Sequence, residues 1–131
     1  MVMAWIIPLT FAAAVPAGAD LRHLLDAIRQ VETGGEADPA NAVGDGGRSL
    51  GPYQITRAYW ADSRVPGQYQ WVRNKAYAER VMIAYWQRHC PLALARRDWQ
   101  TLARVHNGGP NGPSEWRTLV YWNRVKQQMA R

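Results

Sequence analysis

The chain has 131 residues, enough for one domain and few for two. Hydrophobic residues make up 47%, including seven Trp and six Tyr, so a compact core is within reach, while a single cysteine, Cys90, excludes an internal disulfide. A net charge of +6 with a pI near 10 points to an anionic partner. The absence of a basic repeat, zinc spacing or aromatic RNA-binding motif argues against nucleic acid and leaves a cell-wall polymer or membrane surface.

Met1 to Ala19 contains no charged residue. Its apolar run from Ala4 to Val15 leads to Ala17-Gly18-Ala19, a small-x-small cleavage pattern before Asp20. The run is too short to span a bilayer, and Pro8 and Pro16 argue against a buried helix. Residues 1–19 are therefore predicted to be a signal peptide, and residues 20–131 a secreted or periplasmic domain without stable membrane insertion.

Asp20 can cap a helix whose apolar positions Leu21, Leu24, Leu25, Ile28 and Val31 recur three and four apart. Gly34-Gly35 stops it, leaving Glu32 in the last turn. The Gly-, Asp- and Asn-rich stretch that follows is too broken for a long strand, but a short hairpin pairing Ala42-Val43 with Tyr53–Ile55 is expected. Thr56 can cap a short helix over Ala58-Tyr59-Trp60. After the Pro66-Gly67 turn, Tyr69 to His89 reads as the longest helix, with Val72, Ala76, Ile83 and Trp86 on one side and Arg73, Glu79, Arg80 and Arg88 towards solvent. Pro91 ends it. Cys90, beside Pro91, reads as a small structural hydrophobe rather than a nucleophile. Asp98 opens a helix over Trp99 to Val105, and His106 to Pro113 reads as a loop. Ser114 and Glu115 start a final helix carrying Trp116, Leu119, Trp122 and Val125. The expected fold class is α+β, mainly α: one domain with a small β-hairpin or loop lobe beside a cleft.

Two carboxyl groups stand out. Cutting a glycosidic bond takes an acid to protonate the leaving oxygen and usually a carboxylate across the bond. Glu32 ends a helix with an apolar inner face, and both that wall and the helix dipole favour a protonated side chain. Asp45 lies among Gly44, Gly46 and Gly47, which allow sharp turns and close approach of a bulky sugar, although a plain turn residue fits the same pattern.

The blocks Val31-Glu32-Thr33-Gly34-Gly35, Asp45, Ser49-Leu50-Gly51-Pro52-Tyr53-Gln54-Ile55, Ala58-Tyr59-Trp60, His106-Asn107-Gly108-Gly109-Pro110-Asn111-Gly112 and Tyr121-Trp122 closely resemble the invertebrate-type lysozymes, or destabilases. The resemblance runs from about Leu24 to Val125, in the family's order. It implies a lysozyme-like fold and hydrolysis of the β-1,4 bond between N-acetylmuramic acid and N-acetylglucosamine in peptidoglycan glycan strands, without metal or cofactor. It also implies Glu32 as general acid and Asp45 as nucleophile or stabiliser of the cationic sugar. Ser49, Tyr53 and Gln54 match positions lining the cleft beside the second acid; His106, Asn107 and Gly108 match the opposite wall. Amides and hydroxyls suit sugar hydroxyl and N-acetyl groups, although Gln54 also fits a buried amide tying the hairpin to a helix and His106 a satisfied helix-end residue. Tyr59, Trp60 and Trp122 are expected in the core. Animal members are rich in disulfides, so a chain with one cysteine fits a cysteine-poor, bacterial-type member. Two alternatives stay open: a lytic transglycosylase working with Glu32 alone, whose sugar hydroxyl replaces water as attacker, and an inactive peptidoglycan-binding module.

Overall fold

The computed structural model describes residues 13–131; residues 1–12 of the expected leader lie outside the described residues. Helix α1, Leu21–Thr33, starts where its cap was expected: the Asp20 carboxylate accepts from the His23 amide at 3.0 Å, and the His23 ring accepts from the Asp20 amide at 3.1 Å. Histidine thus stands where a capping box ordinarily has Glu or Gln. Leu24, Leu25, Ala27 and Ile28 are buried, and the Gly34 amide closes the helix on the Gln30 carbonyl.

The lobe has three short antiparallel strands in sequence order, not the two expected. They are β1 (Val43–Gly44), β2 (Ser49–Leu50) and β3 (Ile55–Thr56). Val43 faces Leu50, and Leu50 in turn faces Ile55, so the middle strand intervenes between the segments expected to pair. Ser49 and Leu50 are both buried, which removes the alternation that marks a half-buried strand. Gly51, at φ +79°, lies so close to the Tyr69–Arg73 segment that an added Cβ would sit 2.5 Å from the Val72 carbonyl oxygen. Only glycine fits there.

Helix α2, Arg57–Ser63, is capped by Thr56 as expected, with the Tyr59 amide donating to its hydroxyl. The anticipated long helix is shorter. Tyr69–Arg73 forms a 3-10 turn, and Asn74 caps α3, Lys75–His89, by accepting from the Tyr77 amide at 2.9 Å. Its buried face is Tyr77, Ala78, Val81, Met82, Tyr85 and Trp86, whereas Ala76 is exposed. Glu79 is not a solvent residue either: it is largely covered and takes both oxygens to the Arg22 guanidinium at 2.6–2.7 Å.

Helix α4, Pro91–Ala95, follows the break at Pro91, and α5, Trp99–Gly108, is capped by Asp98. α5 runs three residues beyond Val105 because Gly109, at φ 77°, supplies the turn that ends it. Helix α6, Trp116–Met129, buries Tyr121, Trp122, Val125 and Met129; Trp116, expected among its packed residues, is 76% exposed. α1 and α5 pack against α6, and α2 packs against α3. Trp86, fully buried, ties α3 to α5 by donating to the Leu102 carbonyl at 2.9 Å. The fold is mainly helical with a small β lobe, as expected, and no described helix is long and apolar enough to cross a membrane.

Cys90 packs against the core at the end of α3. Burial, with the Asp98 charge adding to it, pushes its thiol up to about 11. Since only thiolate attacks alkylating reagents, the native protein should react with iodoacetamide at pH 8 about a hundredfold more slowly than the urea-unfolded chain. Equal rates would show that the thiol is not sheltered.

Candidate active site

A cleft of about 830 Å³ separates the β lobe from the helices, a volume in the range of small-molecule and oligosaccharide sites. The end of α1 supplies Glu32, the lobe supplies Asp45, Ser49 and Gln54, and the end of α5 supplies His106 and Asn107. Thr33, next to Glu32, is buried and donates to the Pro52 carbonyl at 2.9 Å, fixing the end of α1 against the lobe. The two carboxyl-bearing elements are therefore held in register by a side chain adjacent to one of them.

The two acids differ in setting. Glu32 has a side chain 21% exposed, and its Oε2 lies 3.8 Å from Nε2 of a buried His106. That separation is within ion-pair reach but too long for a hydrogen bond. On its other side, His106 Nδ1 lies 3.0 Å from the Tyr59 hydroxyl. Burial, reinforced by Tyr85, Cys90 and Glu32, holds the Tyr59 hydroxyl well above its ordinary pKa, so it keeps a proton that it can donate to Nδ1. With Nδ1 engaged by Tyr59, Nε2 is the ring nitrogen left to face Glu32. Asp45, by contrast, is exposed and sits at φ 52°, a left-handed conformation that aspartate adopts more readily than most residues. The buried Ser49 hydroxyl donates to its Oδ2 at 2.8 Å and fixes the carboxylate's direction.

Six of the eight residues expected at the site line this cleft: Glu32, Asp45, Ser49, Gln54, His106 and Asn107. The tie that Gln54 makes is within the lobe and not from the hairpin to a helix: its amide donates to the Ala42 and Gly51 carbonyls at 3.2 and 2.9 Å. Tyr53 does not reach the cleft. It is fully buried among Arg22, Asp26, Arg29 and Glu79, none of which lines the cleft, and burial pushes its hydroxyl pKa far up. Gly108 is likewise displaced from the wall: it lies in α5 facing α6, where an added Cβ would sit 2.5 Å from Thr118 Cγ2, and Gly109 takes its place at the cleft. No group of three or more metal-ligating side chains occurs among the described residues.

No family model matches the chain. Curated relatives do. It is 39% identical over 83 residues to Lysozyme 1 of Crassostrea virginica, covering 61% of this chain and 45% of that one. It is 31% identical over 101 residues to an invertebrate-type lysozyme of Ruditapes philippinarum, covering 75% and 74%. In three dimensions it is similar to the crystal structure of Tapes japonica lysozyme, with a TM-score of 0.65 and 31% identity over 88% of this chain and 92% of that one. The chain belongs to the invertebrate-type lysozyme family. It spans less than two thirds of the first curated relatives, 45% of the Crassostrea protein and 63% of the Ostrea edulis lysozyme.

For a member of the invertebrate-type lysozyme family, the cleft also contains residues that were not expected to line it. Tyr59, expected in the core, packs against it but is only half-buried and also forms the cleft floor, stacked on Tyr85 with centroids 3.8 Å apart. Asp62, Arg64 and Arg88 complete the wall. They come from the ends of α2 and α3, and only the packing of those helices brings them together.

Proposed function

We propose that this chain is a muramidase that hydrolyses the β-1,4 bond between N-acetylmuramic acid and N-acetylglucosamine in peptidoglycan. The observation that carries the reading is the contrast between two carboxyl groups on one cleft. Glu32 is sheltered on the helical wall beside the buried His106, and Asp45 is solvated on the lobe and oriented by Ser49. In this mechanism Glu32 gives its proton to the glycosidic oxygen as the C1–O bond breaks. Asp45 meets the positive charge at C1, as a covalent nucleophile with net retention or as an ionic partner. Water then attacks C1, and Glu32 takes back the water's proton. His106, locked by Tyr59, turns Nε2 towards Glu32, and a proton on that nitrogen steadies Glu32 when it is ionised.

The names borne by the curated relatives support the reaction class, and the single cysteine supports a cysteine-poor, bacterial-type branch. The apolar N-terminal run ending in Ala17-Gly18-Ala19 supports export to the wall, where a +6 chain meets an anionic polymer. Mass spectrometry of fragments released from purified sacculi tests the proposal. Hydrolysis yields muropeptides with ordinary reducing muramic ends. Anhydro-muramyl ends would replace it with the transglycosylase mechanism, and binding without fragments would leave a wall-binding module.

A further inference from the structure

Beyond Tyr59, which holds His106, the cleft floor continues as a run of touching side chains that the proposed hydrolysis does not use. Tyr59 stacks on Tyr85, Tyr85 meets the His89 ring at 4.5 Å, and His89 is hydrogen-bonded to Asp62. Asp62 also takes Arg88 at 3.3 Å. Arg64, one residue past the end of α2, opens onto the same cleft, is exposed, and has no ion-pair partner among the described residues. The Asp62 charge offsets one arginine, so this wall retains a net positive charge, while Glu32 and Asp45 supply the cleft's other formal charges. With Glu32 and Asp45 on the facing walls, the positive charge is local to this wall and acts on a group seated against it. Uncharged sugars gain little from two guanidinium groups; a carboxylate gains paired, charge-assisted hydrogen bonds.

We propose that Arg64 and Arg88 form a carboxylate subsite that selects glycans with acidic substituents, the lactyl or stem-peptide carboxylates of muramic acid, over neutral chitin-type chains. This rests on the glycosidase reading and adds to it the feature of the substrate that is read. The backbone makes the test clean. Arg64 has φ 58° and ψ 21°, the left-handed helix-ending position where glycine is the ordinary occupant, so Arg64→Gly removes the charge while easing the backbone.

The experiment compares kcat/KM on purified glycan strands from sacculi with kcat/KM on chito-oligosaccharides of matched length. It uses wild type, Arg64→Gly and Arg88→Gln, with Arg64→Asn as a second left-handed-tolerant variant. The acidic-to-neutral ratio should fall about tenfold in each variant, through KM on the acidic strand, with no lowering of Tm in Arg64→Gly. A ratio unchanged in all three variants overturns the subsite. On intact strands the lactyl carboxyl is tied up in the amide to the stem peptide, so the carboxylates on offer are the peptide's; on amidase-stripped strands, where hydrolysis of that amide frees the lactyl carboxylate, a persisting preference over chitin shows that the subsite takes either carboxylate, and a lost one assigns it to the stem peptide. A wild type that cleaves neither substrate fails the glycosidase reading instead. The same ratio is then read from binding affinities, and equal affinities for the two glycans overturn the subsite.

Discussion

Glu32→Gln should reduce the release of reducing ends from sacculi by about 10²–10⁴-fold, the range lost when a positioned general acid is removed. The replacement keeps the size of the side chain and its half-buried position at the end of α1, but an amide has no proton to give the departing oxygen. The Thr33–Pro52 tie that holds this helix end to the lobe is untouched, so the cleft should keep its shape and its affinity for glycan strands. Binding preserved with cleavage lost is the outcome that separates a chemical role from a structural one. Residual activity within tenfold of wild type would move the acid elsewhere in the cleft, with Asp62 the next carboxyl on the wall.

What could be read in advance was whatever the chain states locally. Asp20, Thr56 and Asp98 each announce a helix by a side chain that accepts a nearby amide, and all three caps are present. Asn74 carries the same signal and marks the true start of α3, but the aromatic residues from Tyr69 onward supply a helix-like spacing that masks it. The paired glycines at 108 and 109 carry no information on which of them ends α5. That decision depends on Gly108 packing against Thr118, a contact between helices, and it carries His106 and Asn107 onto a helix rather than a loop. Tyr53 looked like a groove residue because it belongs to a block whose neighbours Ser49 and Gln54 do line the cleft. Its fate was set by the turn between β2 and β3, which sends it to the opposite side of the lobe's backbone, towards α1 and Glu79. The Arg64–Asp62–Arg88 wall had no sequence signature at all, since its members are joined only by the packing of α2 on α3.

Asp45→Asn is the sharper experiment on mechanism, because the variant tests charge and little else. Asparagine is as tolerant as aspartate of the φ of 52° at this position, and its side-chain oxygen can still accept from the Ser49 hydroxyl, so the β1–β2 turn should survive. What disappears is the negative charge that faces the sugar as C1 becomes cationic, and with it any covalent attack at C1. If Asp45 does that work, turnover should fall by about 10²–10³-fold, comparable with the loss of one preorganised electrostatic group elsewhere in enzyme chemistry, with KM little altered. The chemistry of the products then discriminates further. A hydrolase stripped of this carboxylate gives fewer fragments of the same kind, whereas a transglycosylase relying on the sugar's own hydroxyl gives undiminished anhydro-muramyl ends. Ser49→Ala offers a graded companion: freeing the carboxylate without removing it should slow turnover by less than the Asn replacement does. Activity untouched in both variants would make Asp45 a turn residue and leave Glu32 as the sole acid of the reaction.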